Sequence, residues 1–522
     1  MAAGTPPGIG LYRFFGYPAW RWPDKIAVAD AARALTFAEV EAQARRLVQA
    51  LRRAGAGAGD RVALILPNGT EFITAEVAIV RGGMVKVPLN IRFHPKEVLY
   101  ALKDCAPTLL IATPDYARAV IEAAAEVPSL KAIFVAGDAV PGTLSLTEAL
   151  SAGDPDPDPP NRIADDDPAL IRYTGGTTGR PKGIVHTARS LVAIADDCIR
   201  ELGLAETDIA LHLGHLSHGL NFMWPAYFAV GATQVFRETF EPKAIWRDIQ
   251  DWRVTWIYMV PTMIDLLLEA DDGRADVSSL RTFLYASAPM PVPLLRRAMA
   301  RFGNIFQQVY TLSEAPVITT MMRAEEHLET ETDCGPRLGS IGREVLTMEL
   351  KLIAEDGREV APGEVGEIAV RSVNNMACYW NLAEETARTL VDGWVRTGDM
   401  ARRADDGFLY LADRKKDIII TGAFNVYPKE VEDVLVRHPK VAQAAVVGQP
   451  DPRWGEIVTA YVVTRDGRPV PAAELTALCA DNLADYKKPR RIEFLAELPL
   501  TPVGKISRAE LRAKAAESSS DP

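Results

Sequence analysis

The first third of the chain switches repeatedly between two hydrophobic periods, and that alternation narrows the fold more than any other feature. VALILP (Val62–Pro67), KVPLN (Lys86–Asn90), TLLIAT (Thr108–Thr113) and AIFVAG (Ala132–Gly137) are short apolar runs rich in β-branched residues. Runs of that length and composition read as buried strands. Among them lie TEFITAEVAIVRGG (Thr70–Gly83), which ends in glycine, and DYARAVIEAAAEV (Asp115–Val127), both with helical spacing of apolar residues. Strand–helix–strand alternation with apolar strands implies parallel-rich sheets covered by helices on both faces, an α/β class. No internal repeat at solenoid periods is present.

At 522 residues the chain exceeds a single compact core, and two to four units are expected. SAGDPDPDPP (Ser151–Pro160) is a proline-rich, acidic linker without periodicity. A second joint is marked by charge. Residues 414–522 hold 17 Lys+Arg and 15 Asp+Glu, whereas residues 1–413 hold 41 and 54. The expected organisation is a large multi-subdomain N-terminal domain, 1–413, and a small mobile α+β C-terminal domain, 414–522.

The formal charge of −11 argues against a protein that coats nucleic acid or anionic membrane, since either needs a basic footprint. It does not argue against a local basic site for a small anion. Cys105, Cys198, Cys334, Cys378 and Cys479 are odd in number and form no CxxC pair, so neither a disulfide framework nor a zinc knuckle is expected. MAAGTPPGIGLYRFF lacks the basic-then-apolar order of a signal peptide, no stretch approaches the length of a membrane span, and ESSSDP carries no lipidation signal. These features point to a cytoplasmic enzyme.

LIRYTGGTTGRPKGIVHT (Leu170–Thr187) carries the phosphate chemistry. Its glycines let a backbone turn tightly and aim N–H groups at an oxyanion, while threonine hydroxyls and Lys182 add donors and charge. It is not a Walker loop: Arg180-Pro181 separates Gly179 from Lys182, and Gly183 stands where Ser or Thr is needed. Read by composition alone, it is also compatible with a Gly/Thr-rich surface hairpin.

The ordered string TGGTTGRPKG resembles the signature of the adenylate-forming superfamily, with Gly175 where serine is usual. VPTM (Val260–Met263), LYASAPMP (Leu284–Pro291), QVYTLSEA (Gln308–Ala315), GWVRTGD (Gly393–Asp399), DRKKDIIITGAFNVYPKEVE (Asp413–Glu432) and PLTPVGKISR (Pro499–Arg508) follow in the family's order. The resemblance spans essentially the whole chain and favours the acyl- and aryl-CoA ligase branch. It implies that a carboxylate attacks the α-phosphate of ATP, giving an acyl-adenylate and pyrophosphate, and that the acyl group then passes to the thiol of CoA. Joining two anions calls for positioning and charge neutralisation.

The resemblance also assigns roles. Thr174, Gly175, Gly176, Thr177, Thr178, Gly179 and Lys182 would face the pyrophosphate. Glu314 would hold Mg2+, to which a hard carboxylate is suited. Ser313, in place of the usual threonine, would meet the α-phosphate; Tyr310 would stack on adenine, with Ser287, Ala288 and Pro289 opposite. Asp399 would accept the ribose hydroxyls beside Arg414. Lys505 would reach the carboxylate and ribose during adenylation. Because one lysine serves only that half-reaction, the C-terminal domain would rotate about a hinge at Lys416, bringing Thr421, Gly422 and Ala423 to the pantetheine tunnel. Basic residues of YKKPRR (Tyr486–Arg491) could meet the CoA phosphates or form a solvated face.

HLSHGLNFMW (His215–Trp224) resembles the segment lining the acyl pocket, with His218 at the motif position, Gly219 after it, and Phe222 and Met223 beyond. It departs from the pattern in having His215 where proline is common. His212, His215 and His218 are expected on a strand-to-helix loop, not as a metal site. Amino-acid-activating relatives place an aspartate after the histidine; Gly219 stands there, and Thr311 replaces a glycine and could narrow the pocket. These residues favour an uncharged, bulky acid, whether fatty, alicyclic or aromatic. Transfer to an acyl-carrier protein instead of CoA and a nucleotide-binding pseudoenzyme stay open, as do monomer and homodimer.

Overall fold

The computed structural model describes residues 10–153, 163–174, 181–414, 417–421, 424–451, 454–483, 485–501 and 505–517. The chain divides into two compact units. The larger takes in residues through Leu328, Ile341–Glu349 and Val370–Val395. The smaller takes in Glu329–Ser340, Leu350–Ala369 and the chain from Arg396 onward.

In the larger unit, the expected alternation is realised as β1 (Arg61–Ile65), α1 (Thr70–Arg81), β2 (Val85–Pro88), α2 (Pro95–Cys105), β3 (Leu109–Ala112), α3 (Pro114–Glu122) and β4 (Ala132–Val135). β1 pairs in parallel with β2 and β3, and β3 with β4. One face of this sheet is closed by α2 and α3, where Val98, Leu102, Ala117 and Val120 pack on Ala63, Ile65, Leu110 and Ala112. On α1 every side chain from Thr70 to Val80 except Glu71 is buried. The stretch read as one helix to Val127 is shorter: α3 stops at Glu122, and a 3-10 turn covers Ala124–Glu126. Of the linker, residues 154–160 lie outside the described residues.

β5 (Pro168–Thr174) joins β2 in parallel, then pairs antiparallel with β6 (Lys182–Thr187). A second, nine-stranded sheet is built around β7 (Ile209–His212), which leads through a loop to α4 (Leu220–Ala229), and β8 (Thr233–Phe236), β9 (Trp256–Met259), β10 (Thr282–Tyr285) and β11 (Phe306–Tyr310). These five strands run parallel. Their residues are nearly all buried, as strands covered on both faces require.

In the smaller unit, β12 (Trp394–Arg403) contributes its part from Arg396 and pairs antiparallel with β13 (Leu409–Arg414). A second sheet there holds β14 (Ile419–Thr421), β15 (Val441–Asp451), β16 (Gly455–Thr464) and β17 (Arg491–Phe494), with β15 and β16 forming a long hairpin. Helix α5 (Pro428–Leu435) buries Val431, Val434 and Leu435 against Val446, Val458 and Val462. Among the described residues, no helix is long and apolar enough to cross a membrane.

Candidate active site

The phosphate-loop segment lies in sequence between β5 and β6, which pair antiparallel. Thr174 and Lys182 are register partners where β5 ends and β6 begins, and Gly175, Gly176, Thr177, Thr178 and Gly179 between them lie outside the described residues. The edge of this hairpin is covered by Cys378–Tyr379, which pairs with β6. That pairing brings Tyr379 to two expected site residues at once. Its hydroxyl donates to Glu314 Oε1 at 2.7 Å, and Lys182 Nζ stands 5.3 Å from its ring centroid. Burial pushes the Tyr379 phenol up, with the Glu314 charge adding to it, so the group remains a donor at neutral pH. Lys182 also pairs with Glu385, whose carboxyl its hydrogen bond holds below the usual range.

Glu314 follows β11, and its loop is tied to the hairpin. His186 in β6 donates from Nε2 to the Ser313 carbonyl at 2.9 Å. Burial pushes His186 down to about 4, so it is neutral there. Tyr310 ends β11 with 8% of its surface exposed, and Thr311, Ser313 and Glu314 follow at the strand's carboxyl end. Beside it, β10 leads into Ser287, Ala288 and Pro289, all exposed. Ser287 holds a left-handed φ of 69°, uncommon for a residue with a side chain, and its Oγ lies 2.8 Å from the Tyr258 hydroxyl. The fold thus brings Tyr310, Thr311, Ser313, Glu314 and Ser287–Pro289 together at the carboxyl ends of neighbouring parallel strands, where open α/β sheets bind ligands.

The acyl segment begins where β7 ends. His212 is the last residue of that strand and not part of the loop, and it is a core residue. Its Nε2 lies 3.0 Å from Gln234 Oε1, its ring stacks on Phe236, and burial pushes it down to about 3. His218 and Gly219 stand at the entrance to α4, while Phe222 and Met223 are buried on it. The Phe222 ring meets His186 edge-on at 5.0 Å, so acyl segment and hairpin are in contact. A Cβ on Gly219 would touch nothing within 4 Å, which leaves open space beside His218.

In the smaller unit, Asp399 and Arg414 are register partners across β12 and β13, so the two residues expected at the ribose share one rung of one ladder. Asp399 is 8% exposed. Thr421 is buried and in register with Gly455, while Lys416, Gly422 and Ala423 lie outside the described residues. Lys505 is exposed, its loop closed by its N–H donating to Thr501 Oγ1 at 3.2 Å and its carbonyl accepting from the Thr501 N–H at 2.7 Å. Of YKKPRR, Lys487 pairs with Glu430 at 2.6 Å and Arg491 with Glu493 at 2.8 Å.

Residues 17–380 match the family model for AMP-binding enzymes, and residues 430–505 match that of the AMP-binding enzyme C-terminal domain. The chain belongs to the AMP-binding enzymes. It is 37% identical over 494 residues to a feruloyl-CoA synthase of Amycolatopsis, covering 94% of this chain and 96% of the relative. It is 34% identical over 510 residues to a fatty acid–acyl-carrier-protein ligase, ScoC, of Streptomyces coeruleorubidus, covering 96% of each. The crystal structure of an anthranilate CoA ligase, AuaEII, in complex with anthranoyl-AMP superposes with a TM-score of 0.90 at 28% identity, over 99% of both chains. Within the family, the chain stands among the acid–thiol ligases that form carbon–sulfur bonds and use ATP.

Two residues in contact with the candidate site were not singled out from the sequence. Tyr379 and Glu385 sit in ACYWNLAEET, an unremarkable mixture of polar and aromatic residues. Their partners lie 65 and 203 residues away, at Glu314 and Lys182, and no local period signals such contacts. Only the pairing of Cys378–Tyr379 with β6 brings them in.

Proposed function

We propose that this AMP-binding enzyme converts a hydrophobic carboxylic acid, fatty, alicyclic or aromatic, into its CoA thioester in two steps. A carboxylate oxygen attacks the α-phosphorus of ATP, the bond to the bridging oxygen breaks, and pyrophosphate leaves. The thiol sulfur of CoA then attacks the acyl carbon, its proton is lost to solvent, and AMP leaves. The observation that carries this reading is the convergence of Tyr310, Ser313, Glu314 and Ser287–Pro289 at adjoining strand ends, tied by Tyr379 and His186 to the hairpin that carries Lys182.

In this reading Thr174 to Lys182 bind the pyrophosphate, Tyr310 packs on adenine, and Ser313 donates to the α-phosphate. Glu314 fits Mg2+: it is a partly exposed carboxylate whose orientation the Tyr379 hydroxyl sets. Magnesium, when bound, neutralises phosphate charge. Asp399 and Arg414 hold the ribose, and Lys505 offsets the repulsion between acyl and phosphate anions. The acid lies along His218, Gly219, Phe222 and Met223.

The test is pyrophosphate release over a panel of acids, followed by addition of free CoA or a phosphopantetheinylated carrier protein. Release with a bulky apolar acid and consumption of the adenylate by CoA are expected. Consumption by the carrier alone would move the chain to the carrier-loading class. No release with any acid would leave a nucleotide-binding pseudoenzyme.

The rotating part in this reading is 414–522, smaller than the compact unit that begins at Arg396, with Lys416 as hinge and Thr421 to Ala423 lining the thiol's path after rotation. Lys416→Pro fixes φ near −65° and removes a donor. It should slow thioester formation by about 10-fold or more while adenylation changes little, because hinge substitutions act on the conformational step. Thioester formation at the wild-type rate would refute the hinge. The enzyme works in the cytoplasm, with ATP, CoA and a small acid as its partners.

A further inference from the structure

A buried cation beside the acyl segment has no carboxylate paired with it among the described residues. Arg172 lies in β5, two residues before Thr174, and is 2% exposed. Ile171 and Tyr173 on either side turn into the apolar core of the first sheet, so Arg172 faces the other way, as strand alternation requires. Its Nη2 donates to His218 Nδ1 at 2.8 Å, and its guanidinium carbon lies 5.0 Å from the Phe222 ring centroid. Its Nε is buried and has no hydrogen-bond partner, and no carboxylate among the described residues forms an ion pair with it.

Burial lowers its pKa to about 10, with the Glu314 charge pulling the other way, so the group is a cation at neutral pH. A cation buried without a counter-ion costs several kcal/mol in general. A scaffold has no reason to keep such a group, but a binding site has, because the ligand brings the missing charge. The polar neighbours are already engaged: Tyr258 with Ser287, and His186 with Ser313. Open space lies next to His218, on the side of Gly219.

We infer that Arg172, held by His218 and Phe222, is the anion anchor of the acid pocket and donates to a carboxylate of the acid substrate. The inference rests on the ligase reading and names the group that recognises the acid. The carboxylate could be the reacting one, present in every acid, or a second one in a dicarboxylic acid.

The experiment compares the full-length enzyme with Arg172→Met and Arg172→Lys. Binding of a series of monocarboxylic acids, dicarboxylic acids and the primary amide of each monoacid is measured by calorimetry, alongside KM for acid and for ATP. Arg172→Met should weaken acid binding by about 30-fold or more, as truncating one member of a buried charge pair does, and leave amide binding unchanged. Arg172→Lys should recover part of the loss, and KM for ATP should not move. Equal losses for mono- and dicarboxylic acids assign the reacting carboxylate; losses confined to dicarboxylic acids assign the second. If Arg172→Met fails to fold, Arg172→Gln removes the charge but keeps a donor for His218, and the same readouts apply. Acid binding at wild-type strength in the uncharged variant, or parallel loss of acid and amide, would overturn the anchor. Absence of pyrophosphate release by the wild type would refute the ligase reading separately, since the acid–amide comparison needs no turnover.

Discussion

Lys86 and Arg172 are both 2% exposed and lie on adjacent strands of one sheet, yet they are partnered in opposite ways. Lys86 in β2 meets Glu76 of α1 with Nζ to Oε2 at 3.0 Å. The same carboxylate accepts from Asn221 Nδ2 at 2.6 Å and Trp224 Nε1 at 2.9 Å, both on α4. One fully engaged carboxylate therefore pins two helices to a strand, and the helix it pins carries Phe222 and Met223. Arg172 has a neutral imidazole for its hydrogen-bond partner and an unused Nε. Satisfaction separates the two roles: a buried charge completed from within is scaffold, and one left incomplete awaits a ligand.

The contrast breaks most readily at Lys86. Lys86→Met leaves the Glu76 carboxylate buried without its counter-ion, and we expect a stability loss of about 3–5 kcal/mol. Urea or thermal unfolding would measure it. Pairing the change with Glu76→Gln should restore part of the loss, because the orphaned charge is gone. The folded fraction of Lys86→Met should keep its preference for acid over amide, in contrast to Arg172→Met. A stable Lys86→Met that lost acid binding would place both cations in the pocket.

Lys505 sharpens the comparison from the other side, as a cation held at the surface of the smaller unit on a loop closed by Thr501. Its proposed partners are the acid and the ribose, present only during adenylation. Lys505→Ala should lower adenylate formation by about 10²–10³-fold, the usual effect of deleting one electrostatic stabiliser of a transition state. Thioester formation from supplied acyl-adenylate should persist. Equal loss in both half-reactions would remove Lys505 from its assigned step.

How far such roles were legible depended on the range of the contacts. The helix expected over Thr70–Gly83 runs Thr70–Arg81, and the strand expected over Lys86–Asn90 runs Val85–Pro88, because period and glycine punctuation are local signals. The helix expected over Asp115–Val127 ends early, at Glu122, before its alanine run. The ordered motifs pointed to Glu314, Tyr310 and Ser287, whose convergence follows from parallel strands ending side by side. Arg172 stood in plain view inside LIRYT, but one charge within a β run carries no sign of which face it takes. Tyr379 and Glu385 were illegible for a different reason: their meaning lies wholly in partners distant along the chain.

Glu385 gives the smallest effect and the finest test. It occupies Lys182, with side chains 33% and 21% exposed, in the place where phosphate oxygens are proposed to bind. Its carboxyl is held below its ordinary value by that lysine, so the pair's contribution is present at neutral pH and fades as pH falls through the lowered value. A pair this exposed is worth about 1 kcal/mol or less. Glu385→Gln should therefore leave unfolding nearly unchanged. If the carboxylate competes with the phosphates for Lys182, the substitution releases the lysine and lowers KM for ATP by about two- to fivefold, the most that so weak a pair can return. The gain should vanish in a Lys182→Met background. A rise in KM instead would show that Glu385 orients Lys182 toward the phosphates, making it a positioning residue whose charge is completed from within, and would move this pair to the side of Lys86 and Glu76.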